Sequence, residues 1–224
     1  MVKVQAHLRS RGAGRGAVAV SIRAMEIDTP HGPARAHVHA AERPVGGLVL
    51  GHGAAGGVGA PDLVAATAAA QAEGFTVALV EQPYLVAGRR SQAPAAQLDA
   101  AWIAVVEHLR GADLRHLPIV VGGRSAGARV ACRTAAETGA VGVLCLAFPL
   151  HPPGRGDDPS KSRQSELDAV RLPVLIVQGD SDPFGMPRAG KGHTLVTVSG
   201  NHSLRKDVGA VTEAVRGWLP QVAG

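Results

Sequence analysis

Short runs made almost wholly of apolar residues alternate along this chain with longer stretches in which apolar positions recur every three or four residues. The short runs, Val45–Leu50, Phe75–Val80, Leu117–Val121, Val141–Ala147, Pro173–Gln178 and Thr194–Val198, read as strands buried on both faces. Between and after them, Pro61–Glu73, Pro94–Arg110, Ala128–Glu137, Gln164–Val170 and Ser203–Leu219 read as helices. The clearest is Pro94–Arg110, where Leu98, Trp102, Val105, Val106 and Leu109 share one face and Gly111 stands at the expected stop. Near the start, Ala24–Asp28 and Pro33–Ala40 flank the turn sequence Thr29-Pro30-His31-Gly32 and predict an antiparallel hairpin. Strands alternating with helices in this way predict a doubly wound α/β domain with a mostly parallel sheet covered on both sides. In such folds ligands bind beyond the carboxyl ends of the strands, so chemistry belongs in the loops that follow them.

Composition narrows the class without changing the fold. At 224 residues the chain is sized for one domain, and 46% hydrophobic against 18% charged residues is too apolar for disorder. No apolar run is long enough to span a bilayer, so a membrane partner is not expected. The net charge of +5 comes from residues 1–24, where Lys3, Arg9, Arg11, Arg15 and Arg23 meet no acid. Residues 1–23 therefore read as a loose basic leader, or as a stretch upstream of a start at Met25, and residues 24–224 as a single domain. With a formally neutral body and 3% aromatics, nucleic acid is not an expected partner either. Cys132 and Cys145 lie in apolar segments without Cys-x-x-Cys spacing, which fits reduced core thiols and a cytoplasmic location.

Four loops after predicted strands hold the reactive residue types: His52-Gly53-Ala54, Gly123-Arg124-Ser125-Ala126-Gly127, Asp180 with Asp182, and His202. A serine hydroxyl is a poor nucleophile at neutral pH. It needs a base within hydrogen-bond reach, an acid to orient that base, and donors for the oxyanion formed on attack. Gly-x-Ser-x-Gly between a strand and a helix lifts Ser125 above the strand tip, and the Ala126 N–H opens the helix that follows. The order Ser125, acid, His202 suits the fold, but Asp180 and Asp182 are equally placed by spacing alone. Arg124 and His151, together with His52, border the expected pocket as candidate substrate-binding residues; Tyr84 and Phe184 line the cleft or simply pack. His31, His37 and His39 lack a nearby Cys or acid to complete a metal set, and the Gly53–Gly59 loop lacks the residues that follow in a phosphate loop, so no cofactor or metal is expected.

On these motifs the chain resembles the α/β-hydrolase superfamily over about residues 24–220. The resemblance implies that the acid is Asp182, from the Gly-x-x-Asp pattern Gly179-Asp180-Ser181-Asp182, and that Ala54 after His52-Gly53 is the second oxyanion donor beside Ala126. More narrowly, Gly122–Arg129, Phe148–Gly154 and Gly88-Arg89-Arg90 resemble the branch of testis-expressed protein 30, a neighbour of the dienelactone hydrolases. Dienelactone hydrolases use cysteine where this chain has Ser125, so a lactonase activity does not carry over. The stretch Pro149–Leu172 is too short for a cap domain, which argues for an open site and against long-chain lipids. The expected function is a serine hydrolase acting on an ester or related acyl bond of a small or exposed substrate. The alternative is a catalytically silent hydrolase-fold interaction module with a surface around Arg89, Arg90 and Arg129. Oligomeric state has no signature in the sequence.

Overall fold

Eight strands form one sheet in the order β1-β2-β4-β3-β5-β6-β7-β8, in a computed structural model that describes residues 21–54, 56–155 and 158–224. The strands are β1 (Ser21–Ile27), β2 (Ala34–Ala40), β3 (Gly46–Gly51), β4 (Phe75–Glu81), β5 (Ile119–Arg124), β6 (Gly142–Leu146), β7 (Val174–Gly179) and β8 (His193–Val198). β1 and β2 are the antiparallel hairpin, β2 joins β4 antiparallel, and every pairing from β4 through β8 is parallel. The architecture is the doubly wound α/β fold expected from the chain. One boundary differs: β1 starts at Ser21 and Ile22 pairs with His39, so residues 21–23 belong to the hairpin rather than to a leader. The rest of the expected leader, residues 1–20, lies outside the described residues.

The helices are α1 (Pro61–Ala72), α2 (Pro83–Val86), α3 (Ala95–Gly111), α4 (Ala126–Thr134), α5 (Gln164–Asp168) and α6 (Val208–Ala223). The core has two halves because a central strand sends alternate side chains to opposite faces. Leu48 and Leu50 of β3 join one half with Leu63 of α1 and Val211, Val215 and Leu219 of α6. Val49 joins the other, with Trp102 and Val106 of α3 and Val130 of α4. The short α2 has too few residues to show a period, and the sequence pattern misses it. The last helix begins at Val208 instead of Ser203 because Leu204 sits at φ +50°, outside helical space, while the Asp207 carboxylate caps the helix by accepting from Ala210 N–H at 3.0 Å. The connection between β6 and β7 holds, among the described residues, only a 3-10 turn at Pro159–Lys161 and the five-residue α5, so there is no lid. No helix among the described residues is long and apolar enough to cross a membrane.

The chain direction reverses at β3 and β5: β3 is followed by its neighbour β4 on one side, β5 by its neighbour β6 on the other. The loops leaving β3 and β5 therefore open apart at a switch point, which is where doubly wound sheets make room for ligands. Here the backbones nearly touch. A methyl group on Gly123 would lie 2.5 Å from the Gly51 carbonyl oxygen, and one on Gly127 would lie 2.4 Å from the same atom. Neither glycine is needed for an unusual φ; both are needed for space. The strain falls on the residue between them, Ser125, at φ +54° and ψ −110°, a conformation that costs a non-glycine residue about 1–3 kcal/mol. Gly127→Ala is therefore expected to destabilise the domain by about 1–3 kcal/mol or more, as overpacking against backbone does. Urea unfolding checks this; a stability equal to that of the parent protein contradicts the contact.

Candidate active site

Each group of the site is delivered by a loop at the carboxyl end of a strand. Ser125 leaves β5 with its N–H bonded to the Leu146 carbonyl of β6 at 2.9 Å, and its own carbonyl accepts from Arg129 in the first turn of α4. Held in this way, the hydroxyl is turned away from the sheet. His202 lies after β8, in a loop fixed by Asn201, whose Oδ1 accepts from Ser203 N–H and Oγ–H, and by fully buried Leu204. β5 and β8 are separated by two strands, roughly 14 Å at about 4.8 Å per strand. The His202 loop spans that gap, and its ring stands 2.9 Å from the Ser125 Oγ through Nε2.

The other ring nitrogen, Nδ1, is 2.8 Å from Asp182 Oδ2, whose side chain is fully buried. A buried carboxylate must have its acceptors filled, and here they are. Gln178 Nε2 donates to Oδ2 at 2.9 Å, and Phe184 N–H donates to Oδ1 at 2.9 Å. Asp180, the other acid open to the sequence reading, is exposed and turned to the loop: its Oδ1 accepts from Gly200 N–H at 3.0 Å. That bond holds its carboxyl below the ordinary carboxylate value. Asp180 thus stitches the acid loop to the histidine loop, while Asp182 meets the ring.

Ala126 is the first residue of α4, so its N–H has no carbonyl four residues back to bond. Ala54 follows β3 across the switch point, with its carbonyl accepting from Tyr84 Oη–H at 3.2 Å. Ala54, Ala126, Ser125 and His202 line one open cleft of about 420 Å³, together with Gln92, Arg124, Arg129, Pro149, Pro153, Arg163 and Phe184. The Phe184 ring leans on the His202 ring at 4.3 Å between centroids, tilted by 48°, and so serves as a wall for the imidazole. A hydroxyl bonded to an imidazole that is bonded to a buried carboxylate, next to free helix N–H groups, can pass a proton from oxygen to nitrogen and hold a new negative charge on a bound carbonyl.

Of the three expected substrate-binding residues, two lie away from the cleft and one lines it. His52 is buried, its Nδ1 donating to the Gly53 carbonyl at 2.7 Å and its Nε2 accepting from Gln82 N–H at 3.1 Å. With both nitrogens bound to backbone, it shapes the loop before Ala54 and has nothing left for a substrate; burial also pushes its basicity down. His151 is buried against Gly185, behind the acid loop, and does not line the cleft. Arg124 does line it, with two of its nitrogens engaged: Nε lies 2.9 Å from fully buried Asp62 of α1, and Nη2 donates to the His202 carbonyl at 3.1 Å. Gln178, Arg163 and Gln92 were missed by sequence reasoning. Only Gln178 carried a signal, as a polar residue ending the apolar run of β7. His37 and His39 lie on the hairpin, with His37 Nε2 3.3 Å from Glu81, and no group of three or more metal-binding side chains occurs among the described residues.

The chain matches the model of a family described as "alpha/beta hydrolase domain" over residues 45–210. It belongs to the α/β-hydrolase family. Solved structures with the same fold include XC6422 of Xanthomonas campestris, an α/β serine hydrolase without lid, at 24% identity and TM-score 0.71 over 89% of this chain and 95% of that one. Est1E of Butyrivibrio proteoclasticus with ferulic acid bound aligns at 20% identity and TM-score 0.73 over 88% and 98% of the two chains. A dienelactone hydrolase of Anabaena variabilis aligns at 16% and 0.73 over 91% and 98%.

In this α/β-hydrolase the Asp62–Arg124 pair is a charge contact buried under the site. Burial pushes the Asp62 carboxyl up from its ordinary value, and Arg124 opposes that rise. Arg124→Gln removes the opposition, and a buried charge stripped of its partner costs about 3–5 kcal/mol at neutral pH. The folded variant then holds the Asp62 proton more tightly than the unfolded chain does, so stability falls as pH rises through this window and part of the loss returns in mild acid. Urea unfolding of variant and parent at neutral and mildly acid pH tests this; a gap that fails to narrow in acid contradicts it.

Proposed function

We propose that this α/β-hydrolase is a serine hydrolase that cleaves an ester or related acyl bond through an acyl-enzyme. The observation that carries the reading is the unbroken chain of contacts from Ser125 Oγ to His202 Nε2 at 2.9 Å and from His202 Nδ1 to Asp182 at 2.8 Å. As Oγ attacks the substrate carbonyl, Nε2 takes its proton, and Asp182 keeps the ring oriented and stabilises the imidazolium. The N–H groups of Ala54 and Ala126 hold the oxyanion, with the start of α4 favouring its charge. His202 then protonates the leaving group, and water, activated by the same ring, releases the acid.

The open cleft of about 420 Å³ and the absence of a lid favour small or exposed acyl substrates over long chains. The lidless serine hydrolase XC6422 and the ferulic acid bound to Est1E are properties of those proteins that point the same way. Cys132 and Cys145 are buried among core side chains, and a cytoplasmic placement is kept as part of this reading.

Ser125→Ala is expected to lower turnover of short acyl esters by about four or more orders of magnitude and to abolish labelling by a fluorophosphonate. Asp182→Asn is expected to lower turnover by about 10⁴, because the ring loses its tautomer and orientation, whereas Asp180→Asn stays close to the parent protein. Steady-state rates of the three variants check this. Undiminished turnover in Ser125→Ala, or a larger loss in Asp180→Asn than in Asp182→Asn, rejects the assignment.

A further inference from the structure

Three arginines line the cleft beside Ser125, and they differ in what already neutralises them. Arg124 faces Asp62 at 2.9 Å. Arg129 grips Glu166 with two bonds, Nε to Oε2 at 2.8 Å and Nη2 to Oε1 at 2.5 Å. Arg163 has no carboxylate within ion-pair distance among the described residues. Its Nη1 donates to the carbonyls of Pro149 at 3.0 Å and His151 at 3.2 Å, and its backbone N–H to Leu150 at 2.8 Å. These bonds clamp one edge of the guanidinium to the segment leaving β6, and among the described residues Nε and Nη2 make no hydrogen bond.

Among the described residues, the charge cluster around Arg163 holds more cations than carboxylates. Arg129, Arg133 and Arg163 face Glu166 and Asp99, and Arg133 takes up Asp99 at 2.6 Å while also reaching Glu166 at 3.5 Å. Burial and repulsion from Arg129 and Arg133 together make the Arg163 charge harder to hold. A fixed guanidinium with an unspent Nε/Nη2 edge matches the two oxygens of a carboxylate, which a planar fork binds in bidentate fashion.

We propose that the substrate carries a carboxylate near the scissile acyl bond and that Arg163 binds it. This rests on the serine-hydrolase reading and names the substrate class for the same site. Hydrolysis adds water across the acyl C–O bond and yields an acid and an alcohol; the carboxylate on Arg163 is a spectator that positions the carbonyl over Ser125.

Two substrate pairs test the proposal: the mono-4-nitrophenyl ester of adipic acid against its methyl ester, with the anion on the acyl side, and 4-acetoxybenzoate against its methyl ester, with the anion on the alcohol side. The expected result is a kcat/KM about tenfold or more higher for the anionic member of at least one pair, reduced by added salt. In Arg163→Gln the ratio is expected to fall to about one, and in Arg163→Lys, which keeps the charge but loses the fork, to lie between. If both neutral esters turn over as well as the anionic ones while a fluorophosphonate still labels Ser125, the carboxylate proposal is overturned and the hydrolase reading stands. The same holds if an anion preference survives in Arg163→Gln. If Ser125 takes no label in folded protein and no ester turns over, the hydrolase reading falls, and this proposal with it.

Discussion

The contact among Gly51, Gly123 and Gly127 is the constraint on which the rest of the site depends. It lets the ends of β3 and β5 and the start of α4 approach to backbone distance, closer than any side chain would allow. Because the turn at Gly123–Gly127 has no room to relax, the strained conformation falls on Ser125, the residue whose hydroxyl projects from the sheet edge. The same proximity brings the loop of Ala54 opposite the first N–H of α4. Hydroxyl and candidate oxyanion donors are thus consequences of one packing event at the point where the strand order reverses.

The histidine and the acid come from the far side of the sheet and are stabilised by a different device. β7 and β8 are neighbours, and their loops are sewn together by Asp180 to Gly200 N–H and by Ser181 Oγ to the Gly200 carbonyl. Gln178 holds the buried Asp182 from below, with its amide shared among Asp182, the Phe148 carbonyl and the Gly185 carbonyl. Arg124 then ties the His202 carbonyl to Asp62 under the β3 side of the cleft. The two halves of the site are therefore coupled through a buried ion pair as well as through the Ser125–His202 contact.

The arginines of this region show how one residue type takes separate roles according to what faces it. Arg124 is tied to a carboxylate and to backbone, Arg133 to carboxylates alone, and Arg129 spends two nitrogens on Glu166. Arg163 is braced by carbonyls, which orient a guanidinium without cancelling its charge. What faces each arginine comes from distant parts of the chain, so sequence position alone does not assign these roles.

Much of the fold was legible because buried parallel strands must be apolar on both faces and the helices that cover them must be apolar on one, so local pattern records global position. Gly123-x-Ser125-x-Gly127 announced its own geometry for the same reason: only glycine fits that close approach. Asp182 over Asp180 was not decidable from spacing, because both can reach and only the bonds to Gln178, Phe184 and Gly200 separate them. Arg124 lines the cleft as expected, whereas His52 and His151, which also follow strand ends, are buried away from it, because residues leaving a strand point in different directions. The chain by itself determined which elements form and which loops carry reactive groups, since these follow from local periodicity and steric limits. Which side chain meets which across roughly 14 Å of sheet was decided only by the tertiary structure, because burial, charge pairing and hydrogen-bond completion are properties of atoms brought together from distant parts of the sequence.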